Sequence, residues 1–417
     1  MTRRESDVIL GLESHLARHG ECYLVGSANW HLPARPPDRD YVTSADPLAL
    51  GPNLAQAFGG RCIVMDARRA YIRIAAPRLP PVDLAPLAGG SISEDLARRD
   101  FTVNAMAAML PDRSPLLDPF AGRADLHYGV VRQVSASSLF DDPLRVMRAI
   151  RLVTEKGFVV DLATRSAMQE ATPGLRWVHP ERVRMELIRA LSSPGWLRAA
   201  RLYLELELWQ ALPQWPAVHP DPAEHARHLE RLATGGPAAQ RALAHCGAEQ
   251  DLSAEESRAL AVIASAIIAS DADLETASAM AAGLRLSRAQ SGGVLDVFQA
   301  YQRACSTPVS LEAAFELVER YGCAAVWAAL LADNQSLLEA MSRLKPIQPE
   351  VLPDGHCLAR ALGREAGPWL GSLTRTLRKA VATGEVRTRE EALQLARAVA
   401  EGRGHLSQPT DVDGGPC

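Results

Sequence analysis

Two carboxylates, Asp38 and Asp40, flank Arg39 at the start of a β-like run at 38–43. Alternate residues of a strand point to the same face, so both acids look the same way. Held this close they repel each other, and a hard divalent cation such as Mg2+ relieves the repulsion by taking oxygen ligands. An isolated Asp-x-Asp is common, and a solvated strand entrance fits it as well. Upstream, Tyr23-Leu24-Val25 runs into Gly26-Ser27, and ten residues separate Ser27 from Asp38. A glycine turn after a strand lets backbone N–H groups approach phosphate oxygens, although ordinary strand-to-helix turns share this composition. A third acid, Asp83, sits between Val82 and Leu84 on a short strand, which points it away from their face. It suits both a third carboxylate of a metal site and a solvent-facing edge position.

Two later stretches are rich in groups that grip nucleotides. In Arg98-Arg99-Asp100-Phe101-Thr102-Val103-Asn104-Ala105-Met106-Ala107, a carboxylate can accept from ribose hydroxyls while a guanidinium donates to phosphate oxygens. The plainer alternative is a charged loop leading into a helix capped by Thr102. The second stretch, 141–151, has helical spacing: Leu144, Val146, Met147 and Ile150 take one side, and Asp142, Arg145 and Arg148 the other. An Asp accepts from an exocyclic amine and an Arg donates to ring nitrogen and carbonyl, so such a face can bind the edge of a base. Arg151 lies about half a turn from Asp142. Asp142 followed by Pro143 is also a helix N-cap signature, with the arginines then a solvated face.

The elements that must position these residues fall into two classes. Strand-like runs at 22–26, 38–43, 61–65, 70–74 and 81–84 alternate with helical runs at 6–19 and 47–58, and the residues after about 142 have helical periodicity only. An α/β head followed by an α-helical remainder is expected. Pro- and Gly-rich stretches at 213–222, 234–237 and 345–355 read as joints, and 402–417 as a frayed tail. The expected parts are therefore 1–141, 142–212, 213–345, 346–402 and a terminal 403–417.

A chain of 417 residues, 47% apolar and 23% charged, has ample material for more than one core. Its longest apolar stretch, at 260–269, is far short of the roughly 20 residues of a membrane span, and charges among residues 3–7 argue against an export signal. A cytoplasmic protein is expected. Cysteines 22, 62, 246, 305, 323, 357 and 417 form no CxxC pair and read as reduced thiols without a zinc site. The net charge of −4 places any nucleic-acid contact on local patches, and residues 151–200 carry eight Lys or Arg against five acids. His225-Ala226-Arg227-His228 lacks the acidic neighbour of a phosphohydrolase His-Asp pair and reads as helix surface.

The glycine turn, its spacing and the Asp38/Asp40 pair resemble the DNA-polymerase-β-like nucleotidyltransferases. The 98–107 stretch is similar to the RRDFT-x-NA-x-A motif of the class II enzymes, the group holding bacterial tRNA CCA-adding enzymes and poly(A) polymerases. Asp141 to Arg145 resembles that family's (E/D)DxxR segment, and 117–122 and 180–187 resemble its later motifs in the same order. The resemblance is dense over 23–191 and returns at 355–393, a stretch like the family's C-terminal tail. It implies an α+β fold, a polymerase-β-like head followed by an all-α neck, body and tail. It also implies template-independent addition of C and/or A to the tRNA 3′ end from CTP and ATP, with Mg2+ and a tail touching tRNA. Carried onto this chain, Asp38, Asp40 and Asp83 are catalytic, Asp38 and Asp40 hold the metal, and Gly26, Ser27, Arg99, Asp100, Asp142, Arg145, Arg148 and Arg151 bind nucleotide. A-only or CC-only addition, poly(A) synthesis and a catalytically lapsed tRNA-binding protein remain alternatives. One position departs: where the family carries a nucleotide-binding arginine this chain has Trp30, and Arg35 and Arg39 are the nearby cations that could replace it.

Overall fold

The computed structural model describes residues 3–30, 39–77, 79–213, 215, 219–246, 252–306 and 308–402. It divides into two compact units, Met1–Gln214 and Trp215–Cys417.

The first unit is built on a seven-stranded sheet of order β3-β4-β5-β2-β1-β6-β7. Its strands are β1 (Cys22–Val25), β2 (Arg39–Thr43), β3 (Arg61–Asp66), β4 (Tyr71–Ala75), β5 (Val82–Pro86), β6 (Ala107–Met109) and β7 (Leu116–Leu117), with α1 (Arg3–Ala17) and α2 (Pro47–Ala57) among them. The five strands expected from alternation are present to within a residue or two at the described ends. The expectation lacked β6 and β7, which continue the sheet beyond β1. β2 runs parallel to β5 and antiparallel to β1.

Alternation sorts each strand onto two faces. Leu24, Tyr41, Ile72, Ile74, Val82 and Leu84 join Leu12 and Leu16 of α1 and Leu54 of α2 in one core. Tyr23, Val25 and Val42 pack on the opposite face with Leu96 of α3 (Ile92–Ala97). Because Asp40 is two residues from Val42, and Asp83 lies between Val82 and Leu84, both acids belong to this second face. Arg39 belongs to the first, where the buried Glu13 carboxylate accepts from Tyr41 Oη at 2.7 Å and from Arg113 Nε and Nη2 at 2.7 and 2.8 Å. Arg39 Nη1 is 3.9 Å from Glu13 there, so it faces away from the acids and cannot replace the family's arginine; Arg35 lies outside the described residues.

After α4 (Gly122–Tyr128) and the short α5 (Ser138–Asp141), the unit continues through α6 (Leu144–Lys156), α7 (Leu162–Ala171), α8 (Pro180–Ser192) and α9 (Trp196–Glu205). Against the all-helical expectation, Val159–Val160 forms a two-residue strand paired with Val130–Val131. α6 starts at Leu144 with Pro143 at its N-cap position. Asp142 instead ends the preceding turn, and its Oδ1 accepts from Leu144 N at 3.3 Å.

The second unit is helical among its described residues. α10 (Pro222–Thr234) buries both His225 and His228, correcting their reading as helix surface: they share the i, i+3, i+4, i+7 face of Leu229 and Leu232. Burial pushes the His225 imidazole down to about 3, helped by His228, and the His228 imidazole down to about 4. The last helices, Gly355–Leu362, Trp369–Thr383 and Arg389–Ala400, share a core of their own with Leu358, Leu377 and Leu395. Gly363 ends the first of them at φ +62, where a side chain would be strained. No helix among the described residues is long and apolar enough to cross a membrane.

Candidate active site

A single row across the sheet carries the acids. Val25 pairs with Asp40, Asp40 with Asp83, and Asp83 with Arg73 on β4. Asp83 is therefore a buried residue of an interior strand, not a solvent-facing edge position. Arg73 Nε and Nη2 donate to its two oxygens at 2.6 and 2.7 Å, and Tyr71 Oη donates to Oδ2 at 2.6 Å. Burial, together with the Asp83 carboxylate, pushes the Tyr71 phenol upward, so it stays a donor. Asp38 lies outside the described residues.

Gly26 follows β1 at φ +71 and begins a 3-10 turn, Gly26–Trp30. A Cβ there would come 3.0 Å from Asp40 Oδ2. Only glycine lets the backbone lie this close to the carboxylate while holding a positive φ. The turn is anchored from its far end: Asn29 Nδ2 donates to Leu24 O at 3.0 Å and to Met106 O at 3.1 Å. Trp30 Nε1 donates to Val103 O at 2.6 Å. These bonds join the Gly26 turn to the loop that follows Asp100, leaving Ser27 exposed between them. Trp30 itself is only 6% exposed, with its ring 5.8 Å from that of Phe158 and Lys156 Nζ 6.0 Å over it.

The second constellation is held by α6. Asp100 is buried, its Oδ1 accepting from Phe101 N at 2.8 Å and Asn104 Nδ2 at 3.0 Å, and its Oδ2 from Arg148 Nε and Nη2 at 2.8 and 2.7 Å. Burial pushes this carboxyl up, but Arg148 and the other donors outweigh it and hold the group below the usual carboxylate range. Arg145, one turn earlier, donates to Arg98 O, Arg99 O, Ser138 O and Ser138 Oγ at 2.6 to 3.2 Å. Arg99 Nε and Nη2 reach Asp95 at 2.9 and 2.8 Å. Asp142 Oδ2 accepts from Arg182 Nη2 of α8 at 2.9 Å. Arg151 turns the other way, toward Glu186 at 2.8 Å and Glu155 at 3.3 Å. Thr102 caps no helix; its hydroxyl donates to Asp125 at 2.7 Å.

The structure thus brings Gly26, Asp40 and Asp83 together on one sheet row and Arg99, Asp100, Arg145 and Arg148 around one loop, with Asn29 and Trp30 bridging the two. It directs Arg151 elsewhere. Arg73, Tyr71 and Ser138 are neighbours of the candidate site that the sequence reading missed, because only strand register and helix packing place them; Arg182 lies in the 180–187 motif, but its pairing with Asp142 was not foreseen.

Comparison with known proteins shows the family to which the chain belongs. Residues 22–132 match the poly A polymerase head domain family, and residues 157–218 match the family described as probable RNA and SrmB-binding site of polymerase A. A CCA-adding enzyme of Levilactobacillus brevis is 30% identical over 316 residues, covering 73% of this chain and 72% of that protein. The chain belongs to the CCA-adding tRNA nucleotidyltransferase family. A CC-adding tRNA nucleotidyltransferase of Geobacter sulfurreducens is 38% identical over 188 residues, 44% of each chain. The chain spans 39% to 50% of the length of the CC-adding relatives it matches. The structure of a Thermotoga maritima CCA-adding enzyme complexed with tRNA superposes with a TM-score of 0.75 at 22% identity over 96% of each chain, which establishes the shared fold.

Proposed function

We propose that this protein adds C and/or A nucleotides to the tRNA 3′ end without a template: the tRNA 3′-hydroxyl attacks the α-phosphorus of CTP or ATP and pyrophosphate leaves. The carrying observation is the in-register Asp40 and Asp83 carboxylates beside the Gly26 turn, joined through Asn29 and Trp30 to the Asp100 loop. The hard oxygen donors of this row suit Mg2+, with Asp40 holding it together with Asp38. Bound there, Mg2+ supplies charge neutralisation at the triphosphate and a lower pKa for the attacking hydroxyl. Asp83, with both oxygens engaged by Arg73 and Tyr71, keeps a fixed negative charge beside Asp40.

Gly26 and Ser27 offer backbone N–H groups to phosphate, and Arg99 and Asp100 position triphosphate and ribose. Asp142 and Arg145 select the base by exchanging the Arg182 and Arg98 contacts for the base edge, while Arg148 fixes Asp100. Arg151 holds α6 against α8. The reaction would be carried by the head at 1–141 and the neck at 142–212, while the helical body at 213–345 and tail at 346–402 would measure the acceptor arm by backbone shape, in the cytoplasm.

Labelled CTP and ATP, offered singly and together to tRNAs lacking one or three terminal nucleotides, give the test. The expected result is incorporation by the wild type and none by Asp40→Ala, and extension by Asp40→Ala would overturn the mechanism. The same assay separates CCA, CC-only, A-only and poly(A) addition. The second reading, a lapsed tRNA-binding protein, is favoured by the neutral Trp30 at the arginine position. Tight tRNA binding by the wild type without incorporation would establish it.

A further inference from the structure

Trp177 is 86% exposed, more than any other large apolar side chain among the described residues. It ends the 3-10 turn Thr172–Trp177, which leads through Val178 and His179 into α8. This turn is fixed in place. Leu175 is fully buried, Val178 N donates to Leu175 O at 3.0 Å, and Thr172 Oγ1 donates to Met168 O at 2.7 Å. A Cβ on Gly174 would lie 2.6 Å from Pro143 Cγ, so the turn's backbone rests against the residue that follows Asp142. A 3-10 helix repeats every three residues, which puts Trp177 on the same edge as Gly174. From the other side, Arg182 of α8 reaches Asp142 at 2.9 Å. The bare indole therefore stands between two elements that both touch the Asp142 segment.

The chain around it carries a modest excess of cations: within eight residues, Arg176, Arg182, Arg184 and the imidazole of His179 stand against two acids, Glu170 and Glu181. An isolated exposed apolar residue is ordinary on a protein surface, but an indole with arginines close to it along the chain offers what single-stranded RNA uses: a π-face for a base and cations for the backbone. A protein partner would call for a wider apolar patch than the two exposed side chains, Trp177 and Met185, that this segment offers. The indole also lies outside the closed network of Asp100, Arg145 and Arg148 that would hold the incoming nucleotide, which leaves the neighbouring base of the acceptor as its occupant.

We infer that the indole of Trp177 is the stacking platform for the 3′-terminal base of the RNA acceptor. The inference rests on the nucleotidyltransferase reading and extends it to a substrate contact outside the assigned site residues. Trp177→Ala removes an exposed ring and leaves the melting temperature unchanged.

The test uses RNA minihelices whose 3′-terminal residue is intact, abasic or 2-aminopurine. Removing the terminal base should weaken wild-type binding about tenfold, the range of one base–aromatic stack, and should not change binding by Trp177→Ala. The 2-aminopurine fluorescence should be quenched by the wild type and by Trp177→Phe, and not by Trp177→Ala. In turnover, Trp177→Ala should raise the KM for RNA about tenfold and leave the KM for CTP unchanged.

Equal loss of binding on base removal in wild type and Trp177→Ala would overturn the inference. So would a rise in the KM for CTP alone, which would place the ring over the incoming base, or self-association that disappears in Trp177→Ala. A wild type that incorporates nothing sinks the nucleotidyltransferase reading, while the abasic comparison still decides the stacking.

Discussion

Replacing Arg148 by methionine isolates the electrostatic device that holds the Asp100 loop. In the wild type, Asp100 is buried and its Oδ2 receives two charge-assisted bonds from Arg148, at 2.8 and 2.7 Å. Methionine keeps the length of the side chain and removes both bonds and the charge. Breaking a fully buried pair by removing one partner costs about 3–5 kcal/mol. The Arg148 side chain is 38% exposed, so water screens part of the pair and the expected loss is about 2–3 kcal/mol.

The pH dependence carries the sharper test. The folded-state pKa of Asp100 lies below its ordinary value, so the pair's contribution is present above about pH 4 and fades as the pH falls through the lower folded-state value. Without Arg148 the dominant influence on Asp100 is burial, which raises its folded-state pKa above the unfolded one. Its contribution then declines as the pH rises from about 4 toward neutrality. The stability gap between wild type and variant should therefore widen with rising pH. Urea denaturation followed by near-ultraviolet circular dichroism from pH 4.5 to 8 measures it, and Asp100→Asn added to Arg148→Met should recover at least half of the loss. A gap that stays constant with pH, or is below about 1 kcal/mol, would refute the assignment of the Asp100 charge to Arg148.

Two further outcomes are expected. Trp30→Arg, which restores the family's residue, should lower stability by at least about 3 kcal/mol and leave affinity for CTP and ATP no higher. The indole is buried, bonded to Val103 O and lies under Lys156, so the new cation meets a packed site and a like charge. Thermal melts and equilibrium dialysis check this, and a stable variant with tighter nucleotide binding would contradict it. The second outcome concerns His225 and His228, both neutral when folded. The body unit should lose stability as pH falls from about 6.5 toward 4, by about 1.4 kcal/mol per pH unit for each imidazole. Replacing both by glutamine should flatten that slope in differential scanning calorimetry, and an unchanged slope would contradict their burial.

The head's first five strands were legible as short runs containing apolar and β-branched or aromatic residues set between turn residues. β6 and β7 were not, because Ala107–Met109 and Leu116–Leu117 are too short to carry a period of their own and exist as strands only through their partners. The stretches at 98–107 and 141–151 were legible as residue types at fixed spacing. Their present partners were not, since Arg73 opposite Asp83 and Arg182 opposite Asp142 depend on strand register and on how α8 lies against α6. His225 and His228 show a misread signal. The spacing with Leu229 and Leu232 marks a buried face, whereas the surface reading rested on the missing acidic neighbour alone. Trp30 read as a missing positive charge, whereas the fold uses it as a wedge between the Gly26 turn and the Asp100 loop.

The pairing pattern itself sets a requirement on the chemistry. Arg73, Arg99, Arg148, Arg151 and Arg182 each face a carboxylate, and Arg145 is spent on carbonyls and Ser138. Leaving out Arg151, which turns away from the site, these five guanidiniums stand against five carboxylates, Asp40, Asp83, Asp95, Asp100 and Asp142, so the named groups together are neutral. Such a network is preorganised, because each arginine is already held by bonds that a phosphate or base edge can exchange for its own. It supplies no surplus positive charge for a triphosphate. With Trp30 neutral and Arg39 turned to Glu13 on the opposite face, the proposed reading gives a divalent counter-ion arriving with the nucleotide the larger share of the neutralising charge. Nucleotide affinity should then depend on divalent cation concentration more steeply than in an enzyme with an unpaired arginine at the Trp30 position.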